Sequence, residues 1–588
     1  MRLRDGIILF VCIVLAVGLL IGAGMQLDYI NSQRQEMKLI SNEPLENAPP
    51  SLAFATVAMG AFRGLVVDIL WMRADKLKEE GQFFDAKQLA EWITILQPRF
   101  ASVWEFQAWN MAYNISVAIP ATQPEQRWQW VKNGYELLRD DGIRLNPRSI
   151  SLYRELGRIF QHKIGGVSDD AHKYYKLQLA LAMEPLLGPA DNPYFDALAE
   201  APVGWREINK DPNAALLINA LKSADDAFSK GDEFVSNYLS LRQNSLRFNP
   251  AAGKTIDDFR GTEALEKFDI FAKAWQLRKT WKLDPVLMRY LNKTYGPINF
   301  SDPNTHLPLD WRHPDSHAIY WAVKGLQIAA KEEDREIEIN EVNTDRIVGH
   351  SLQNLFRNGK IFIYELSFPA SSQDSSQQAG TQIYKEVFLR PDLRIFKPYN
   401  DSVLAILKKY KDGGDQGRYE SLQNGHRNML KNAVLSFYQS GHKLQAQQIY
   451  NQLRKLYPLD EFKNPAVDGY VKKRFQEELQ SIGINDAKEM ILMMLRESYY
   501  LYAIRDDDAS FSSEKMAEEV LNYYMVRHDD PEYRINLPKL PRLRYFALLD
   551  FLNDELYPPY LRQTLLSRIR IEKPELFRQL EAEREKLK

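Results

Sequence analysis

Small and apolar residues recur along this chain at intervals that suit closely packed pairs of helices. Between Trp71 and Pro98 the series Ala74, Leu77, Gly81, Ala86, Ala90, Ile93 and Pro98 advances by 3, 4, 5, 4, 3 and 5 residues. That spacing places small or apolar side chains on the facing sides of two short helices, with a turn at Gly81 and a stop at Pro98. A new helix then opens with Trp104, Ala108 and Met111. Further copies follow Pro147, with Tyr153, Leu156, Gly157 and Phe160 and then Ala171 and Tyr175. The cleanest copy has Leu430, Ala433, Phe437, Gly441, Ala446, Tyr450, Leu453 and Pro458. A looser one has Leu495 and Tyr499, then Ala517, Leu521 and Tyr524. Small residues let two helices approach while large ones fill the gap in the next unit, so such units fold as stacks.

These residues resemble the tetratricopeptide repeat (TPR) family, whose pattern has a large residue, a Leu-Gly pair, Tyr, Ala, Phe, Ala and Pro at fixed positions. The resemblance covers about half of the chain, Trp71 to Tyr175 and Leu430 to about Met525. It is good around Ala446 and degenerate elsewhere: Val434 replaces a small residue, and Arg127 to Pro147 is stretched. From Gly60-Ala61-Phe62-Arg63 to Tyr113 the chain is also similar to a group of membrane-anchored bacterial repeat proteins, a resemblance that implies no activity. In the TPR family the first helix of each pair lines a binding groove. Carried over residue by residue, that marks Glu105 and Trp109, Arg154 and Arg158, and Asn428, Lys431 and Tyr438 as groove residues. Arg154 and Arg158 are four apart and share a helix face, where two guanidinium groups suit a carboxylate; an ordinary solvated face is the plainer reading.

The expected fold class is therefore mainly α: a TPR-like α-solenoid of helical hairpins with an N-terminal transmembrane helix and a small inserted β-hairpin. The hairpin is expected from Ile361 to Phe368 and Gln382 to Leu389, rich in Ile, Phe, Tyr and Val. Pro369 to Thr381, mostly Ser, Gln, Ala and Gly, reads as a mobile loop between them. The domains divide as anchor 1–25, linker 26–50, N-terminal repeats 51–280, a helical segment with the hairpin 281–425, and C-terminal repeats 426–588.

Ile7 to Met25 has no charged residue and spans roughly 28 Å as a helix, enough for a bilayer core. Arg2 and Arg4 precede it, which favours a cytoplasmic N-terminus and a body across the membrane, periplasmic in a bacterial inner-membrane protein. A cleaved signal peptide is the alternative, with Gly22 and Gly24 small enough for a peptidase site. Ser51 to Met72 is also apolar but carries Arg63 and Asp68, and reads as a buried first helix of the body.

Charge and cysteine content exclude several functions. The 76 Lys and Arg against 78 Asp and Glu leave no cationic surplus for a nucleic-acid backbone. Cys12, inside the apolar run, is the sole cysteine, so the body forms no disulfide and no thiolate zinc site. Phosphate-loop, nucleophile-elbow and His-Glu-x-x-His motifs are absent. The densest titratable cluster is His306, Asp310, His313, Asp315 and His317, where His313 and His317 have a metal-compatible spacing. Against that, Pro314 suits the first position of a helix, making His313 its cap. Asp506-Asp507-Asp508 reads as a solvated turn between helices, and Trp104 and the nearby aromatics as core.

The expected function is a membrane-anchored scaffold or a subunit of an envelope assembly that binds other proteins, with no catalytic residue, metal or cofactor. The alternative is an enzyme or accessory factor of envelope glycan processing, or a metal-dependent activity centred on His306–His317.

Overall fold

The computed structural model describes residues 62–188, 191–300, 302–330, 339–369, 381–413, 416–439, 442–478, 484–527, 537–553 and 557–587, with Gly18 and Gln26. The expected anchor, the linker and the loop 370–380 otherwise lie outside them. Among the described residues no helix is long and apolar enough to cross a membrane.

The chain divides into two units, 1–99 and 100–588. In the first, α1 (Phe62–Glu79) and α2 (Phe83–Leu96) form an antiparallel pair. Gly81 turns the chain at φ 78°, a left-handed conformation that costs glycine little. Ala74, Ala86, Ala90 and Ile93 are all fully buried, as the spacing predicts.

The second unit opens with α3 (Ala101–Trp109), α4 (Pro124–Glu136), α5 (Ile150–Arg158) and α6 (His172–Leu187). α3 and α4 approach through Ala108, Ala112 and Gly134; a methyl at Gly134 would lie 2.9 Å from the Ala108 carbonyl oxygen. α3, α4 and α5 each continue into a π-helical turn, Asn110–Ile115, Leu137–Gly142 and Ile159–Ile164. The turn at Leu137–Gly142 falls inside the stretch from Arg127 to Pro147 that is too long for the repeat: the wider π ring takes up extra residues without ending the helix.

After α6 the chain leaves the stack. It forms α7 (Asn192–Glu200), α8 (Pro212–Ala224), α9 (Gly231–Gln243), α10 (Pro250–Asp258), α11 (Glu263–Gln276) and α12 (Pro285–Tyr295). Ile208 to Ala272 build a separate apolar core around Phe228, Phe234, Tyr238, Phe268 and Phe271. Asp191, Asp211, Asn249 and Asp284 each cap one of these helices, with a proline in its first turn. A two-stranded ladder, β1 (Ile298–Asn299) and β2 (Asp302–His306), which the sequence did not lead us to expect, closes the excursion.

The stack resumes with α13 (Pro314–Ala329) and α14 (Ile339–Asn358), which pack on α5 and on each other. Two glycines make the α5–α13 contact close. A methyl at Gly157 would sit 3.3 Å from the Ala318 carbonyl oxygen, and one at Gly325 would sit 2.8 Å from Tyr153 Cβ. The expected hairpin follows as β3 (Lys360–Pro369) and β4 (Thr381–Arg390), antiparallel, with Ile361 opposite Leu389 and Ile363 opposite Val387.

α15 (Phe396–Asp412), α16 (Gln416–Gln439), α17 (Lys443–Leu456) and α18 (Val467–Glu478) continue the stack. Leu430, Ala433, Ala446, Tyr450 and Leu453 are fully buried between α16 and α17, matching the expected pair. α19 (Ile484–Ala503) pairs with α20 (Asp507–Arg527), and α21 (Leu540–Asn553), α22 (Pro559–Glu572) and α23 (Pro574–Leu587) cover them. Leu495, Tyr499, Ala517 and Leu521 belong to that last core. The protein is thus mainly α, a helical repeat-like fold with small two-stranded ladders.

Candidate functional site

The expected groove residues fall into two groups. Glu105 and Trp109 on α3 and Arg154 and Arg158 on α5 come together. Arg154 pairs with Glu105 at 3.4 Å and also bonds Asn340 at the start of α14. Arg154 was expected to be exposed; instead α14 lies along this flank of α5, and only 21% of the side chain is accessible. Arg158 does remain exposed. Its guanidinium lies 5.6 Å from the centre of the Tyr113 ring, which stacks on Trp109 at 5.9 Å and meets His162 at 5.8 Å.

Beneath this patch Glu155 is buried, with Oε1 lacking a hydrogen-bond partner and Oε2 3.5 Å from Arg158. Burial pushes its carboxyl up, against the opposing pull of Arg158 and Arg154. Burial, with Arg158 and Lys163 beside it, holds His162 below its usual value.

Asn428, Lys431 and Tyr438 stand on α16, separated from that patch by α13–α15. Asn428 is exposed. Lys431 pairs with Glu461 at 2.6 Å and lies over Phe462, while the Tyr438 hydroxyl donates to Asp468 on α18. Those two side chains hold α16 to the segment following α17.

The histidine cluster is structural in its contacts. His313 caps α13, its Nδ1 accepting the Asp315 amide at 3.1 Å while Nε2 donates to the Asn358 carbonyl. His317 Nε2 donates to the Trp311 carbonyl at 2.9 Å, and its ring stacks on Phe160 at 4.9 Å. His306 Nδ1 donates to the Gly296 carbonyl. Burial lowers both His313 and His317 to about 4 and raises the enclosed Asp315 carboxyl to about 7. Among the described residues no group of His, Cys, Asp and Glu is arranged to hold a metal ion.

The three aspartates expected in a solvated turn are all engaged. Asp506 is buried and accepts from Lys360 at 3.2 Å, Asp507 pairs with Arg568, and Asp508 lies 3.4 Å from His442. The turn is there and Asp507 and Asp508 stay exposed in it, while Asp506 alone is covered, by the base of the β-hairpin.

Sequence reasoning missed a set of cavities in the middle of the chain. Cavities of about 550, 230 and 390 Å³ follow one another across the base of the β3–β4 hairpin. The first two share Pro297, Pro308, Leu309, Asp310 and Arg394; the last two share Lys360, Asp392 and Arg394. Arg394 lines all three, so they form one trough. Its one legible signal is a repeated Asp-x-Arg: Asp310-Trp311-Arg312 and Asp392-Leu393-Arg394. In each, the aspartate accepts the backbone N–H and Nε of the arginine on one oxygen and Nη2 on the other. Such a fork fixes the guanidinium plane.

No protein-family model matches the chain, and no curated protein matches it in sequence. Two solved structures align along most of its length. A circular tandem repeat protein with novel repeat topology and enhanced subunit contact surfaces is 10% identical at a TM-score of 0.16, covering 91% of this chain and 98% of that one. A Naa15/Naa10 structure bound to HypK-THB is 10% identical at a TM-score of 0.13, covering 88% and 99%. Scores of that size establish no shared fold, and the repeat-like architecture rests on this chain's own helix contacts.

Proposed function

We propose that the chain is a protein-binding scaffold of the tetratricopeptide type, without catalytic activity, held at a bacterial inner membrane by Ile7–Met25 with its body in the periplasm. One observation carries the binding role. The helices α3–α6 and α13–α20 pack mainly on neighbours in a stack, with α7–α12 set apart around their own core, and stacked helix pairs of this kind present long faces to a partner. The Trp109–Tyr113–Arg158 patch supports a contact surface, since aromatic and arginine side chains anchor many protein interfaces. The arginines before the apolar run support the orientation.

Two experiments test this reading. Protease added to intact spheroplasts should digest the body; protection until lysis would reverse the orientation. Cross-linked partners recovered from membranes by the full chain should be depleted with Arg158→Glu, and recovery of no protein by the parent chain would end the scaffold reading.

A further inference from the structure

The two Asp-x-Arg turns differ in one atom's fate. Arg312 completes its fork by donating from Nη1 to Glu184 at 2.8 Å. Arg394 is held the same way by Asp392, but its Nη1 meets no acceptor among the described residues, and it stands where the three cavities join. A guanidinium fixed on one edge and open on the other is a pre-organised donor for a ligand oxygen.

Charge around it narrows that ligand. Asp392, Asp506 and Asp508 all act on Arg394, against one further cation, Lys360, which Asp506 already engages. Across the three cavities the lining carries Asp191, Asp310, Asp392, Glu497 and Asp508 against Arg312, Lys360 and Arg394, an acidic excess that disfavours a phosphate or a polyanion and leaves a neutral carbonyl as the fitting acceptor. Asp508 is half exposed at the wall of the 390 Å³ cavity, which Glu497 also lines, so that end favours a cation or N–H donors. The 550 Å³ end is different: Leu187, Phe195, Leu307, Leu309 and three prolines wall most of it, with Asp191 and Asn192 at one side and Asp310 and Arg312 already paired with each other. The apolar part of that wall fits an apolar side chain.

We propose that this trough binds an extended peptide segment of a partner protein, with a main-chain carbonyl on Arg394 Nη1, an apolar side chain in the 550 Å³ cavity and a Lys or Arg side chain against Asp508. The proposal rests on the scaffold reading and specifies where and what it binds. Main-chain recognition with side-chain pockets at either end is the general mode by which extended peptides are held.

The test is selection from a random dodecapeptide library displayed on phage, panned on the full chain in detergent micelles, with the enriched peptides then titrated by fluorescence anisotropy. The expected consensus contains a basic residue and an apolar residue at a fixed spacing. Arg394→Ala and Ser512→Trp, which fills the 390 Å³ cavity, should each weaken binding by about tenfold or more, and Asp508→Asn should remove the preference for the basic residue. Melting curves check that each variant folds; if Arg394→Ala melts early, Ser512→Trp decides, because it orphans no buried partner. An acidic consensus overturns the proposal, as do peptides bound equally by the parent and Ser512→Trp, or displacement of selected peptides by neutral oligosaccharides. If partners are recovered from membranes equally by the parent and Ser512→Trp while no peptide binds, the trough is overturned and the scaffold stands.

Discussion

The α16–α17 pair and the α5–α13 pair use the same small-for-large code but find their partners differently. In the first, Ala433 and Ala446 meet across helices adjacent in sequence, and the surrounding ion pairs, such as Lys431–Glu461, lie at the surface. In the second, Gly157 meets Ala318 and Gly325 meets Tyr153 across an excursion that carries its own core, and the charges beside α5 are buried. Arg127, Lys163 and Asp169 are 3–6% accessible, and Asp169 also accepts from Tyr175 and the Ala171 amide. A repeat unit joined to its neighbour by sequence needs little beyond apolar packing. One joined to a distant helix is accompanied here by hydrogen bonds from Gln161 to Ser351 and from Asn354 to Asp315, while the buried triad ties α4 to the turn after α5 and to the loop before α6.

The largest expected effect tests that contrast. Asp169→Ala leaves two buried cations without their anion and should cost about 3–5 kcal/mol, whereas Glu461→Ala should cost less than about 1 kcal/mol. Thermal and urea unfolding of the two variants checks it, and equal shifts would erase the distinction.

A pH series sharpens the comparison next. Because burial raises Asp315 to about 7, its contribution to stability is full below the usual carboxyl range near 4 and is lost as pH rises through 7. Asp315→Asn should therefore gain on the parent between pH 4 and 7, by on the order of a few kcal/mol. His313, His317 and, on α16, His426 are all lowered to about 4, so their contribution is present above about 6.5 and lost as pH falls toward 4. Only the α13 region has both slopes. Stability differences between parent and Asp315→Asn that do not change with pH would show the carboxyl ionises as freely in the fold as out of it.

Overpacking should affect both pairs alike. Ala446→Trp and Gly325→Leu each push a large group into a close helix contact, at about 1–3 kcal/mol or more. An unchanged melting temperature for Gly325→Leu would mean that α5 and α13 do not depend on that approach. His317→Ala should cost stability as a core truncation, because the ring is fully buried against Phe160 and Trp311.

The smallest effect separates the two arginines on α5. Arg158→Glu should change stability by less than about 1 kcal/mol, since the side chain is about half exposed. Arg154→Glu should cost more, by placing a second carboxylate beside Glu105 and losing Asn340. Equal melting of the two variants would mean that the cover from α14 carries no energy.

Legibility followed the range of the physics. Ala446, Tyr450 and Leu453 revealed their register because helix pairs repeat locally, and Ile361–Phe368 revealed a strand by composition. His313 was readable as a cap from Pro314 alone. The bundle from Ile208 to Ala272 carried no repeat to mark it, and the buried state of Asp506 depends on Lys360, a residue far away in sequence. The candidate site divides the same way: the face bearing Trp109 and Arg158 was marked by the resemblance to the tetratricopeptide family, whereas the trough around Arg394 is assembled from α6, α7, the β3–β4 base and α20.

Spacing by itself determined that this protein is helical and that its helices pair through small residues, and composition determined where one β-hairpin interrupts them, because those preferences act within a few turns of chain. Which helix stands beside α5, which arginine stays exposed and where cavities open were decided only by the tertiary structure. Close packing and the need to satisfy each buried charge act between residues that the chain brings together from any distance.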